Sequence, residues 1–519
     1  MAVSGDVREL AGPAAAQAVP PGGVFPWRDV GERAMRVVWL WPALLTFLAC
    51  CYEVTRPVLW RDELSSWSFA SRPVPELVSS VHHSDASALG YYLLLHYWMA
   101  VSGQSVLAMR VPSVLAMAGA AACVTLVGRR LAGQRAGLIA GLLFALVPSV
   151  SRFGQEVRFY ALEVLLATLA TLLLQRAMER PSVPRWAGYA LCVTALGYLD
   201  LVALCLLAAH VAVVGLRWQS GRDRRLLWFG AAAGVSLAAC LPLVLVGLGQ
   251  ASLQVAWVTR PDLSLYTFSF FARNLFYSTA AAAALIIVAV FAWAVAWRKA
   301  AFATAIAVLP AIAVWVVSQG PDSYFFPRYV LFSVTGWVLL AGIALSKLDV
   351  RVAAVAVAVF GVLGAGDQLV IREPGAHNWA AYPVIGDTSY WNYEAAAEVI
   401  ARAVRPGDGI AYPANPDRWV MADFGTQYYL ARDLPAAKVP REVFVVRTAA
   451  AADSMYPVLC QHPASCLGGT SRVWIVTLGR AKHPYQYTPA TERVALTARY
   501  RVEMVKHVPG LTIFLLVAK

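Results

Sequence analysis

Of 519 residues, 59% are hydrophobic and 14% are charged, and the mean hydropathy is +0.59. Soluble domains carry about 25% charged residues, so a soluble globular protein is excluded. The long uncharged runs that recur along the chain mark a polytopic α-helical membrane protein. The formal net charge of +13 invites a nucleic-acid partner, but its distribution excludes one. Much of the excess sits in short clusters between apolar runs: Arg129-Arg130 with Arg135, Arg222 with Arg224-Arg225, and Arg298-Lys299. That is the pattern of cytoplasmic loops, not of a groove-sized basic footprint.

Residues 1–30, rich in Ala, Pro and Gly, read as a disordered cytoplasmic tail. They lack a signal-peptide pattern, so Ala34–Tyr52 is expected to be an uncleaved signal anchor. Arg28, Arg33 and Arg36 hold the N-terminus inside, which puts residues 53–104 outside. Ala88–Val101 is short for a span, and a crossing there would put Arg129–Arg135 on the wrong side. It is expected to be an amphipathic juxtamembrane helix.

Further spans are expected at Val106–Val127, Ala136–Ser149 and Phe159–Leu174. Trp186–Leu216 would measure about 46 Å as one helix, too long for one crossing, and Arg185 and Arg217 both favour the inside. Two short helices broken near Tyr198-Leu199-Asp200 satisfy both facts. Leu226–Leu248, Phe276–Trp297, Phe302–Ser318, Val330–Leu345 and Val352–Ile371 complete about eleven transmembrane helices. Residues 31–371 thus form a membrane domain of a plasma-membrane protein, with outer loops at 53–104, 249–275 and 319–328.

After Ile371 the composition turns mixed. Glu394–Arg405 has helical spacing and is stopped by Pro406-Gly407-Asp408-Gly409. Strands are expected at Ile410–Tyr412, Val443–Val446, Val473–Thr477 and Leu511–Val517. Residues 372–519 therefore read as an extracytoplasmic α/β domain. Its two cysteines, Cys460 and Cys466, are expected to pair in an oxidising compartment. The other six lie in apolar segments as core filler.

Candidate chemistry gathers at the outer boundary. Leu59–Trp67 places Arg61, Asp62 and Glu63 just past the first apolar segment, where charge is costly unless paired or used. Asp62 could cap a short helix Glu63–Ala70. It could equally be a general base taking a proton from an acceptor hydroxyl; the two readings are compatible. His82, His83 and Asp85 read as a polar loop or as contacts to a donor phosphate or sugar. They could hold a metal, but no carboxylate-rich spacing supports that, so no metal or cofactor is assigned. In Gln155–Tyr160, Glu156 and Tyr160 are expected to share a helix face, with Arg158 pointing elsewhere. Arg273 and Arg328-Tyr329 open spans at the outer side. An Arg there calls for an anionic lipid phosphate or, for Arg328, a salt bridge to Glu156 or Asp322. Asp200 interrupts an apolar tract, as a helix cap or a buried functional acid.

Several motifs together resemble the membrane-embedded GT-C glycosyltransferases, in the branch of the protein O-mannosyltransferases and the aminoarabinose transferase of lipid A. They are Arg61-Asp62-Glu63, Tyr91-Tyr92-Leu93-Leu94-Leu95-His96, Arg110-Val111-Pro112-Ser113, Gly128-Arg129-Arg130-Leu131, Gln155–Tyr160 and Arg328-Tyr329. They keep the family's order over residues 35–345. The family's Pro-Pro before the Tyr-Tyr-Leu helix is replaced by Ser87-Ala88-Leu89-Gly90. The resemblance implies an inverting enzyme that moves a sugar from a polyprenyl-phosphate donor to a glycan, lipid or protein acceptor on the outer face. Asp62 would then be the catalytic base and Glu63 a supporting group. The Ala-, Val- and Arg-rich composition suits a high-GC, actinobacterial-type source, where mannose is a common sugar on such donors. The alternatives are a flippase for lipid-linked sugars and a glycan-binding scaffold. Ionisable groups gathered at one face, rather than at mid-membrane, favour the enzyme.

Overall fold

The structure, a computed structural model, describes residues 37–218, 225–376, 390–412 and 421–519. The expected tail 1–30, together with Arg222 and Arg224, lies outside the described residues. Trp39–Lys519 form one unit.

Helix α1 (Leu40–Cys51) leads into three short helices, α2 (Arg61–Ala70), α3 (Val74–Ser84) and α4 (Leu89–Ser102). Helix α4 buries Tyr91, Tyr92, Leu95 and Met99 and exposes Tyr97 and Val101, the two-faced pattern expected of a surface helix. Next come α5 (Val106–Ala132), α6 (Gln134–Leu146), α7 (Pro148–Gly154) and α8 (Tyr160–Glu179). Pro148 sets the bend between α6 and α7, 63°, because the residue before a proline is driven out of the helical region. Gly137 allows α5 and α6 to touch: a Cβ there would lie 2.3 Å from the Thr125 carbonyl oxygen.

The expected break falls at Asp200, between α9 (Val183–Leu199) and a 3₁₀ turn (Val202–Cys205) that runs into α10 (Leu206–Trp218). Gly90 fits against this break, since a Cβ would meet the Tyr198 carbonyl oxygen at 2.6 Å. Helices α11 (Arg225–Gln254), α12 (Leu265–Phe276) and α13 (Thr279–Val317) follow, then a 3₁₀ turn (Pro327–Ser333), α14 (Val334–Leu345) and α15 (Val350–Val370). The two spans expected at 276–318 are two helical stretches of α13 that meet at Ala296, whose backbone is not helical, beside the expected boundary at Trp297. Arg273 does not open a span. It belongs to the separate helix α12, which left-handed Tyr277 follows.

Among the described residues six helices are long and apolar enough to cross a membrane, and the bent pair α6–α7 can make a seventh. Helices α1 and α9 and the segment from Val202 through α10 supply shorter apolar segments. Short helices of this kind are stable only when packed against neighbours.

The C-terminal region holds α16 (Tyr393–Ala401), β1 (Gly409–Ala411), α17 (Ala422–Asp433), β2 (Arg441–Glu442), β3 (Val445–Arg447), β4 (Val458–Leu459), α18 (Pro463–Cys466), β5 (Arg472–Leu478), α19 (Ala490–Arg499), β6 (Tyr500–Val508) and β7 (Leu511–Ala518). Five strands form one sheet in the order β2-β1-β5-β7-β6. It is parallel on the β1 side and antiparallel around β7. Strand β6 is absent from the sequence expectation, although Tyr500, Val502 and Met504 alternate with Arg501 and Glu503. It is an edge strand, where outward charge is usual. Of the expected strand at 443–446, Val445 and Val446 lie in β3, and Val443 and Phe444 fall between β2 and β3. Cys460 and Cys466 form a disulfide. The sheet region is tied to the short helices of the bundle: Ser79 and Ser80 donate to Asp453, and Arg72 Nη2 donates to the Ser454 carbonyl at 2.9 Å.

Candidate active site

Helix α2 begins two residues earlier than expected, at Arg61, and Asp62 is not its cap. The Glu63 carboxylate reaches back to accept from the Trp60 backbone N–H at 3.3 Å, as in a capping box. Glu63 is also engaged from the other side. Arg110 meets it with Nε and Nη2, both at 2.9 Å, and the Val157 N–H donates at 2.9 Å. Arg110 spends Nη1 on the carbonyls of Val54 and Pro57, at 2.6 and 2.9 Å. Both side chains are fully buried. Glu63 and Arg110 thus fasten three separate segments, and Glu63 has little capacity left for a substrate.

Residues 155–159 form no helix; they turn between α7 and α8. Glu156 and Tyr160 therefore do not share a helix face, and the expected orientation is reversed. Glu156 points inward, accepting from Trp60 Nε1 at 2.8 Å and Arg152 Nη1 at 2.9 Å. Burial pushes its carboxyl above the ordinary range even against Arg152. Arg158 is the member of this turn that faces open space. Its Nη1 donates to the Tyr92 hydroxyl at 3.1 Å and lies 3.4 Å from Ser66 Oγ. The Tyr92 hydroxyl in turn donates to Asp85 at 2.6 Å.

That open space is a cavity of about 820 Å³. Its wall carries charged residues, Arg61, Asp62, Asp85, Arg158, Asp200 and Arg328, and apolar ones, among them Val244 and Leu248 from α11 and Val314 and Val317 from α13. Ser454, Met455 and Tyr456 of the sheet region close part of its wall. Asp62 Oδ2 pairs with Arg328 Nη1 at 3.0 Å, and Oδ1 accepts from Arg61 Nε at 3.1 Å. Burial alone would raise the Asp62 carboxyl. The guanidinium groups of Arg328, Arg61 and Arg158 outweigh it and hold the group below the usual carboxylate range. Arg328 itself lies among the rings of Trp60, Tyr160, Trp257, Phe326 and Tyr329, all within 5.8 Å. Rings at that range stabilise a cation.

Seven of the expected site residues meet at this cavity: Arg61, Asp62, His83, Asp85, Arg158, Arg328 and Tyr329. Glu63, Glu156 and Tyr160 are buried behind its wall. His82 and Arg273 are exposed and do not line it. The salt bridge expected from Arg328 to Glu156 or Asp322 goes to Asp62 instead. Sequence reasoning named Arg110 and Tyr92 only within motifs, with no role, and overlooked Arg152, Ser66 and Gln254, which donates to the Ser84 carbonyl at 2.6 Å. A signal existed for Arg110: it is a cation inside an apolar span, and such residues carry a task. Among the described residues no three His, Cys, Asp or Glu side chains are grouped to hold a metal ion.

A family model described as dolichyl-phosphate-mannose-protein mannosyltransferase matches residues 86–246. The fold is similar to the crystal structure of ArnT from Cupriavidus metallidurans in the apo state. The TM-score is 0.59 at 13% identity, covering 94% of this chain and 98% of that one. It is equally similar to the same protein bound to undecaprenyl phosphate, with a TM-score of 0.58 at 14% identity over 95% and 98% of the two chains. No curated protein sequence matches the chain.

Proposed function

We propose that the chain is a glycosyltransferase of the GT-C type that transfers a sugar, mannose first among the candidates, from a polyprenyl-phosphate donor to an acceptor hydroxyl on the outer face of the membrane. The observation that carries this reading is a single cavity whose wall combines Asp62, Arg158 and Arg328 with the apolar Val244, Leu248, Val314 and Val317. A lipid phosphate combines the same two characters. Its chain would lie along the apolar residues, and its phosphate would meet the guanidinium forks, which match phosphate oxygens in geometry and charge. ArnT, the similar fold, has been crystallised with undecaprenyl phosphate, which supports this class of donor. Mannose rests on the family model's description.

The acceptor oxygen attacks the anomeric carbon on the face opposite the phosphate. Its proton passes to an Asp62 oxygen as the new C–O bond forms. The bond from the anomeric carbon to the phosphate oxygen breaks, with inversion, and the electron pair leaves with polyprenyl phosphate. Arg158 and Arg328 stabilise that leaving charge. The Asp62–Arg328 pair makes the base conditional. Paired, Asp62 is a weak proton acceptor. A phosphate that draws Arg328 away raises the carboxylate's affinity for a proton at the moment it is needed. The acceptor can be a glycan, a lipid or a protein.

Purified enzyme assayed with polyprenyl-phosphate-linked mannose, glucose, galactose and arabinose tests the reading. Transfer is expected from the mannose donor ahead of the others. No transfer from any of them, with acceptors from the cell envelope supplied, would overturn it.

A further inference from the structure

Of the three carboxylates on the cavity wall, two are fully engaged. Asp62 is bound by Arg328 and Arg61. Asp85 accepts from Tyr92 and Ser87, and Gln254 lies 3.3 Å away. The third, Asp200, is different. It occupies the break between α9 and the following 3₁₀ turn, and one oxygen, Oδ1, accepts the Val202 N–H at 2.9 Å. The other, Oδ2, is buried without a partner among the described residues. A carboxylate can take about four hydrogen bonds, and a buried one left short of donors is costly. Its electrostatic neighbours include Arg158 and Arg328, the groups assigned to the donor phosphate, and Asp85. Glu163 on α8, whose electrostatic neighbour is Asp200, is fully buried, with neither carboxyl oxygen hydrogen-bonded among the described residues. No bonding among the described residues accounts for an acid kept in this state on a cavity wall.

We propose that Asp200 is a specificity-determining residue that accepts hydrogen bonds from hydroxyl groups of the donor sugar. The proposal rests on the donor reading above. The phosphate is excluded as its ligand, since two anions repel, and the lipid chain offers no donors. A sugar ring between the phosphate forks and Asp62 brings hydroxyls at this depth. The Val202 bond holds the carboxyl in place before the sugar arrives, which lowers the ordering cost of binding. Burial pushes the group up to about 7, and hydroxyl donors would stabilise its charged form. The Gly90 contact at Tyr198 fixes the break that carries Asp200.

The test is equilibrium binding of polyprenyl-phosphate mannose, bare polyprenyl phosphate and neutral polyprenol to the purified protein. Wild type should bind the mannosyl lipid about tenfold more tightly than bare polyprenyl phosphate, the scale of one hydrogen bond to a charged group. Asp200→Ser retains a cap for Val202 but removes the second oxygen, and Asp200→Asn removes the charge. Either should erase that sugar-dependent increment and leave binding of bare polyprenyl phosphate within about twofold. An increment that survives in the variants, or that wild type never shows, overturns the assignment. So does a failure of both variants to fold, which would make Asp200 a structural cap. Wild type that binds polyprenyl phosphate no better than polyprenol would instead defeat the donor reading, whatever the Asp200 variants do.

Discussion

Helix α2 presents two neighbouring acids to two different regions. Glu63 faces the interior of the bundle and is saturated by Arg110, Val157 and Trp60. Asp62 faces the cavity and is held by Arg61 and Arg328, which a phosphate would compete for. The difference lies in replaceability. The ligands of Glu63 are committed to backbone and to one another. The ligands of Asp62 line the open space a substrate would fill. Adjacent residues of like chemistry thus divide into a fastening that sets the geometry and a group that can change its proton affinity.

The largest effect should come from breaking the fastened side. Arg110→Met leaves the Glu63 carboxylate buried without its cation, a change that costs about 3–5 kcal/mol in comparable sites. Thermal unfolding in detergent should fall sharply, and restoring activity by raising donor concentration should fail. An unfolding temperature within a degree or two of wild type would show that the pair fastens nothing.

The cavity side carries strain of a different kind. Asp200 is pushed by burial up to about 7, above the ordinary value for an aspartate. A group raised in this way contributes its full stability below the unfolded pKa and loses it as pH rises through the folded one. Between pH 5 and pH 8 wild type should therefore lose stability relative to Asp200→Asn, on the order of 2 kcal/mol. Parallel pH profiles for the two proteins would contradict the burial argument.

Within the cavity, Arg328→Lys keeps charge but loses the fork. It should raise the donor KM about tenfold, a loss near 1.4 kcal/mol, and leave the acceptor KM nearly unchanged. Arg158→Lys should act in the same direction. Arg273→Lys, on exposed α12, should change neither. Donor and acceptor kinetics measured separately on the three variants check this ranking; Arg273 as the most sensitive would move the phosphate site elsewhere.

Legibility in the sequence depends on distance along the chain. Uncharged length reveals spans directly, and the break at Asp200 is visible as an acid in a tract too long for one crossing. Helix α12 is not, because Arg273-Asn274 reads as the opening of the next span and nothing local marks the left-handed turn at Tyr277. Strand β6 shows its alternation only over the short stretch 500–504. At the site, Arg61-Asp62-Glu63 is conspicuous as charge beside an apolar segment. Which acid does what is not, because the Glu63 partners Arg110 and Val157 stand 47 and 94 residues away. The turn at 155–159 misleads for the same reason: the i, i+4 spacing of Glu156 and Tyr160 suits a helix, whereas Trp60, 96 residues from Glu156, draws it inward.

The central claim is that Asp62 takes the acceptor's proton while its cations take the phosphate. Asp62→Asn separates the two tasks, keeping size and removing the proton acceptor. Single-turnover transfer from polyprenyl-phosphate mannose should fall at least about 100-fold. Binding of polyprenyl phosphate should be as tight as to wild type or tighter, because a competitor for Arg328 is gone. Near-normal transfer by the Asn variant would contradict the account and leave Asp62 a structural partner of Arg328.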